Sequence, residues 1–196
     1  AQAADHKYYI VYYLAVNTGM RQGELIGLKW EDVDSDKKRI EVKRQIQRTD
    51  EGLVFKKTKT KAGNRVIPIT DDVIRELKRQ KIKQNKKKLA LGKNYNNDVD
   101  LICSNSVGNP IDAKKIYNFF KDINREAKLP EIRFHDLRHT FATLFLECGG
   151  SIKVLQQILG HSSISVTMDT YSHVTDEMLD NAAKNIEMMY KIRANK

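Results

Sequence analysis

The chain has 196 residues, 40% of them hydrophobic and 31% charged, proportions that fit one soluble globular domain and exclude a disordered or fibrous chain. No run of about 18 apolar residues is present, so no membrane-spanning helix is expected. The formal net charge of +10 is uneven: Lys37 to Lys93 holds 20 Lys/Arg against 6 Asp/Glu, a net of +14, which leaves −4 for the remainder, and such a concentrated basic segment is the footprint of a polyanion binder.

Residues 7–17 (KYYIVYYLAVN) have helix-tolerant apolar spacing, and Thr18-Gly19 supplies a stop because Gly accepts a left-handed cap. The residues before them carry both charges and no small-residue cleavage site, so no secretory signal is expected, and the missing initiator Met suggests a piece of a longer protein. A second helix is expected to begin near Met20 or Arg21, and in TGMRQGELIGLKWEDVD the residues Leu25, Leu28 and Ile26 are the candidates to face the core. Arg21 and Glu24, three apart, share its other face, where a surface ion pair is the simplest reading.

From Arg39 the period changes to alternation. RIEVKRQIQR, GLVFKKT and NRVIPIT read as three strands of a small antiparallel meander, with turns at 50–52 and 61–64. The second hairpin carries Lys56, Lys57, Lys59 and Lys61 toward its tip, where a lysine is usually just solvated. Thr70-Asp71-Asp72 opens a helix that ends at Gly92, and its KRQKIKQNKKK part reads equally well as a solvated basic face. KNYNNDVD is a loop, LICSNSVGNPI a short apolar segment with a turn, and Asp112 caps a helix running to about Lys128.

The stretch from His135 to His173 departs from a simple core pattern. A helix from near Phe134 has Phe141, Leu144, Phe145 and Cys148 as its apolar face, while His135, Arg138 and His139 fall together on one side. Gly149-Gly150 stops it, Ser151 caps another helix through Leu159, and Gly160-His161 follows. The segment SSISVTMDTYSHV is polar enough to be exposed and carries Tyr171. A last segment, 175–193, places Met178, Leu179, Ala182, Ile186, Met189 and Tyr190 on one stripe. The two cysteines, Cys103 and Cys148, read as buried free thiols and imply a cytoplasmic setting.

If the polyanion is a phosphodiester, charge builds on its non-bridging oxygens in the transition state, and two guanidiniums, Arg21 and Arg138, form a suitable clamp. A hairpin ammonium, Lys59 or Lys61, could protonate the leaving 5′ oxygen. With an ordinary pKa near 10, Tyr171 needs cationic neighbours or a base to attack phosphorus, and His135 and His161 could serve.

These residues carry a close resemblance to the catalytic domain of the tyrosine recombinases, the phage and transposon integrases. TGMRQGELIGLKWEDVD is similar to the box with the first catalytic arginine, KTKAGNRVIPI to the hairpin of the catalytic lysine, HDLRHTFAT to the H-x-x-R box, and LGHSSISVTMDTYSH to the Gly-His and nucleophile boxes. The resemblance implies a mainly α (α+β) fold, a helical catalytic domain with a small three-stranded antiparallel sheet, spanning 1–175. It implies Arg21 and Arg138 as phosphate clamp, Tyr171 as nucleophile forming a 3′-phosphotyrosine, His135 as acid/base, His161 as hydrogen-bond donor to phosphate and Lys59 as the lysine, with Lys61 the alternative. Lys57, Lys61, Arg65 and His139 are the positions expected on double-stranded DNA. It further implies no metal or nucleotide cofactor, a homo-oligomer on DNA, a 176–196 tail docking on a neighbouring protomer, and an N-terminal DNA-binding domain outside this chain.

Two other readings compete. HDLRH spaces two histidines as a zinc helix does, but Asp136 stands where that motif wants Glu, and Arg138 would set a cation beside the metal. A catalytically silent DNA-binding module of the same fold would differ only in an unassembled site.

Overall fold

Helix α1 (Tyr9–Thr18) is apolar on most sides and buries Ile10, Val11, Leu14 and Ala15, as a helix must when others pack around it. In the computed structural model, which describes residues 7–57, 63–165, 167, 168 and 171, α1 lies against α2 (Gln22–Ile26), α3 (Asp71–Leu91) and α5 (Asp136–Glu147). The buried Thr18 hydroxyl donates to the Leu14 carbonyl at 2.5 Å, and Gly19 closes the helix with φ +62° and its N–H on the Ala15 carbonyl.

The second helix begins where expected, at Gln22, and stops at Ile26. The segment at Gln45 crosses so closely that a Cβ on Gly27 would lie 3.2 Å from its backbone, and the chain turns away there. A 3₁₀ turn follows at Trp30–Asp32, its start pinned by the Lys29 N–H on the Asp32 carboxylate at 2.9 Å.

The expected meander is built differently. The first alternating run splits at Lys43 into β2 (Arg39–Val42) and β3 (Arg44–Thr49), where Lys43 and Arg44 both direct their cations to the buried Asp32. β3 pairs with β4 (Gly52–Lys57), Ile46 opposite Phe55. The third run, β5 (Arg65–Pro68), returns to β2 instead of β4, Ile40 opposite Ile67 and Val42 opposite Arg65. With β1 (Val33–Asp34) this forms an antiparallel three-stranded sheet in the order β1-β2-β5.

The later helices follow the sequence signals more closely. Thr70 caps α3 by accepting from the Val73 N–H, with Asp71 and Asp72 at the positive end of the helix dipole. Asp112 caps α4 (Ala113–Glu126). Ser151 stands at the N-cap of α6 (Ile152–Leu159) but makes no side-chain cap bond. Tyr12, Phe120 and Phe134 form an aromatic cluster, centroids 5.4–6.0 Å apart, that joins α1, α4 and the approach to α5.

The inward face of α5 is only partly the expected one: Phe141 and Phe145 pack against the core as expected, and Leu144 and Cys148 do not. Arg138, Ala142 and Leu146 are buried, whereas Leu144 is 52% exposed and Cys148 is exposed. The helix is rotated so that a charged residue faces inward, which an apolar-stripe argument cannot anticipate. Cys103 is buried as expected, and burial pushes its thiol up to about 12. The expected tail helix of 176–196 lies outside the described residues.

A Cβ on Gly19 would meet Phe141 Cδ1 at 2.5 Å and Leu159 Cδ2 at 2.9 Å, in a left-handed conformation besides. Gly19→Ala is therefore expected to lower the unfolding free energy by about 2–4 kcal/mol, measurable as a reduced urea midpoint with an unchanged slope.

Candidate active site

Three arginines converge on the carbonyls at the end of α6. The Ile158 carbonyl accepts from Arg65 Nε at 2.5 Å, the Leu159 carbonyl from Arg138 Nη2 at 2.7 Å, and the Gly160 carbonyl from Arg21 Nη2 at 3.3 Å. Carbonyls at a helix C-terminus lack intrahelical partners and carry the negative end of the dipole, so they draw cations. Arg138 also donates through Nη1 to the Gly19 carbonyl at 2.7 Å, so one guanidinium joins the ends of α1 and α6. Both ends turn through left-handed glycines, Gly19 at φ +62° and Gly160 at φ +67°.

Glu24, 3% exposed, is the carboxylate among these cations. Its oxygens accept from the Arg21 N–H at 2.8 Å and Arg21 Nη1 at 3.1 Å, and from Arg65 Nη1 and Nη2 at 2.9 and 2.7 Å. Burial pushes its pKa up, but the hydrogen bonds and charge of Arg65, followed by those of Arg21, hold it below the ordinary carboxylate value. The expected Arg21–Glu24 ion pair is present at 3.1 Å, yet it is half buried and shared, not a surface pair.

Three guanidiniums against one carboxylate leave excess positive charge. Burial, then the neighbouring Arg21 and Arg65, lowers the Arg138 pKa to about 9, so it remains a cation at neutral pH. His161, whose Nδ1 pairs with the buried Thr167 hydroxyl at 2.8 Å, is lowered to about 4 by burial and by Arg138, Arg21, Arg65 and His135. His135, at the N-cap of α5, is lowered by desolvation and then by His139 and Arg138. Both imidazoles are thus held toward the neutral form. A cluster whose cations penalise one another in this way has the chemistry to receive an anion.

Tyr171 does not sit where its polar flank suggests. It is 3% exposed and packs with Ala142, Leu146, Leu155 and Leu159, an apolar surround supplied by other helices that no stripe in its own segment could show. Its hydroxyl lies 3.0 Å from His139 Nδ1, and the His139 ring meets that of His135 edge to face at 5.0 Å. Burial raises the Tyr171 pKa, with Arg138 opposing, so the hydroxyl carries its proton at neutral pH.

The structure thus joins Arg21, Arg138 and His161 around the α6 terminus, and His135, His139 and Tyr171 along α5. His139, assigned to DNA from the sequence, lies with its Nδ1 3.0 Å from the Tyr171 hydroxyl. Arg65, also assigned to DNA from the sequence, has a side chain that is 5% exposed and donates to Glu24, Ile158 and Gly63. Lys57 is exposed at the end of β4, while Lys59 and Lys61 lie outside the described residues. Sequence reasoning missed Glu24 as a shared anchor and Thr167 as the partner of His161. The three-residue spacing of Arg21 and Glu24 was a visible signal, but the link from Glu24 to Arg65 spans 41 residues. Among the described residues no three His, Cys, Asp or Glu side chains are grouped to hold a metal ion.

The Phage integrase family matches residues 1–178. The chain belongs to this family. It is 37% identical to a tyrosine recombinase XerC-like protein of Caldanaerobacter subterraneus, covering 94% of this chain and 50% of that protein. The transposase from transposon Tn916 of Enterococcus faecalis is 30% identical, covering 94% and 46%. The chain therefore spans about half the length of the curated relatives it matches. The Tn1549 transposon integrase in complex with transposon right end DNA superposes with a TM-score of 0.77 at 28% identity, covering 94% of this chain and 59% of that one. The XerA recombinase does so with 0.69 at 26%, covering 92% and 60%. The helical domain with a small antiparallel sheet is thus the integrase catalytic fold.

The His161 shift has a measurable consequence. The unfolded chain takes up this proton near pH 6.5 and the folded chain only near pH 4, so the stability involved is complete above pH 6.5 and is lost as pH falls toward 4. NMR titration should show the His161 ring neutral at pH 5, and His161→Gln should flatten the decline of the urea midpoint across that window.

Proposed function

We propose that this integrase-family chain is the catalytic domain of a site-specific DNA recombinase that cuts and rejoins strands through a 3′-phosphotyrosine. The observation that carries the reading is the junction of Arg21, Arg138 and His161 at one helix end with Tyr171 held against the same pair of helices. In this reaction Tyr171 Oη attacks phosphorus while the bond to the 5′ oxygen breaks. Arg21 and Arg138 exchange helix-end carbonyls for the non-bridging oxygens and offset the charge that develops there. Neutral His135 takes up the tyrosine proton, and His161 donates a hydrogen bond to the phosphate. Lys59, or Lys61 in its place, supplies a proton to the leaving 5′ oxygen.

The chain's partner is double-stranded DNA, with Lys57 and Lys61 at the phosphate backbone, and the active assembly is a homo-oligomer whose 176–196 segment docks on a neighbouring protomer. The chemistry needs neither metal nor nucleotide. A cytoplasmic location in a bacterial or phage-infected cell suits this role, and among the described residues no helix is long and apolar enough to cross a membrane.

The test is a pool of nicked duplexes, in which loss of the short 5′ product traps the covalent intermediate. The chain should give an SDS-stable adduct without added metal or ATP. Tyr171→Phe should abolish it, and Arg138→Ala should slow it by about 10²–10³-fold or more. An adduct that survives Tyr171→Phe rules out the assignment, and duplex binding without cleavage of any substrate selects the silent DNA-binding module. In parallel, Lys57→Ala should reduce the slope of log affinity against log salt by about 0.9.

A further inference from the structure

We propose that Arg65 is a positioning residue for the phosphate clamp, acting through Glu24 and the end of α6 and not through DNA; this rests on the recombinase reading above. Four of its five N–H donors are engaged inside the protein: Nε on Ile158, Nη1 on Glu24 and Gly63, and Nη2 on Glu24. The side chain is 5% exposed, so it offers little surface and a single remaining N–H toward a phosphate.

What Arg65 does have is a fork that holds both oxygens of the carboxylate on which Arg21 rests. Arg21 donates to the same two oxygens from its N–H and Nη1, so the orientation of Glu24 sets that of Arg21, whose Nη2 remains on the Gly160 carbonyl. The planar bidentate grip fixes the carboxylate in rotation, which a point-like ammonium cannot do. Nε meanwhile ties the fork to Ile158, two residues before Gly160 and three before His161. Arg65 also begins β5, directly after the segment bearing Lys59 and Lys61 in sequence. One side chain thereby places the first arginine, the histidine after α6 and the root of the lysine segment in a common frame.

The experiment compares Arg65→Lys with Lys57→Ala on nicked duplexes, reading both the salt slope of binding and the single-turnover rate of adduct formation. Arg65→Lys should leave the slope unchanged and slow adduct formation by about 10²-fold, the cost of misplacing a clamp by about 1 Å. A slope lowered by about 0.9, as for Lys57→Ala, would make Arg65 a DNA contact and overturn the proposal, and so would an unchanged rate. Should Arg65→Lys fold poorly, the double variant Glu24→Gln/Arg65→Gln decides: a loss of rate smaller than the product of the two single losses supports the partnership, and a multiplicative loss refutes it. If the unaltered chain forms no adduct, the recombinase reading fails by itself. The ¹⁵N resonances of the Arg21 guanidinium then still report: they shift in Arg65→Lys if Arg65 positions Arg21, and an unmoved resonance overturns the proposal.

Discussion

The free carbonyls at the C-terminus of α6 are the interaction on which the rest depends. Most helix ends satisfy such groups with water or a turn, whereas here three guanidiniums from α5, β5 and the start of α2 take successive carbonyls, 158, 159 and 160. Segments more than a hundred residues apart are thus joined by groups that carry charge. Removing that charge would leave three carbonyls and a buried carboxylate without these partners, a heavier loss than any one bond would suggest.

The same arrangement accounts for the electrostatics. Glu24 is one carboxylate among three arginines, and its pKa falls while those of Arg138 and His161 fall with it. Burial and then the neighbouring cations lower Arg138 and His161, while for Glu24 the arginines outweigh burial. A phosphate placed there would relieve the mutual penalty. Carbonyls are weaker partners than phosphate oxygens for a guanidinium, which makes them suitable placeholders.

Much of this was legible in the chain. The helix signals at Thr70, Asp112 and Gly19 held because capping is local chemistry, and the residues of the clamp were visible through their spacing and resemblance. What failed were inferences about which way side chains face. Periodicity assigned the core face of α5 to Leu144 and Cys148 because it treats Arg138 as polar and therefore outward. It assigned Tyr171 to solvent because its neighbours in sequence are polar, although its neighbours in space are Ala142, Leu146, Leu155 and Leu159. The meander failed at Lys43, where the pull of a buried aspartate outweighs the continuity of an alternating run. In each case a long-range charge or a contact supplied by another element overrode the local pattern.

On the function proposed above, the placement of Tyr171 ties catalysis to packing. Its ring is one of five buried residues in a small cluster, linked to the main core through Phe141 and Phe145. A nucleophile stored as a wedge between two helices cannot be drawn toward a phosphate without uncovering the leucines it shields. The reactive group is therefore safeguarded by solvation as well as by its proton, and departure from rest is opposed until an occupied site compensates for the lost contacts. In such a molecule the latch on the chemistry is a piece of hydrophobic core.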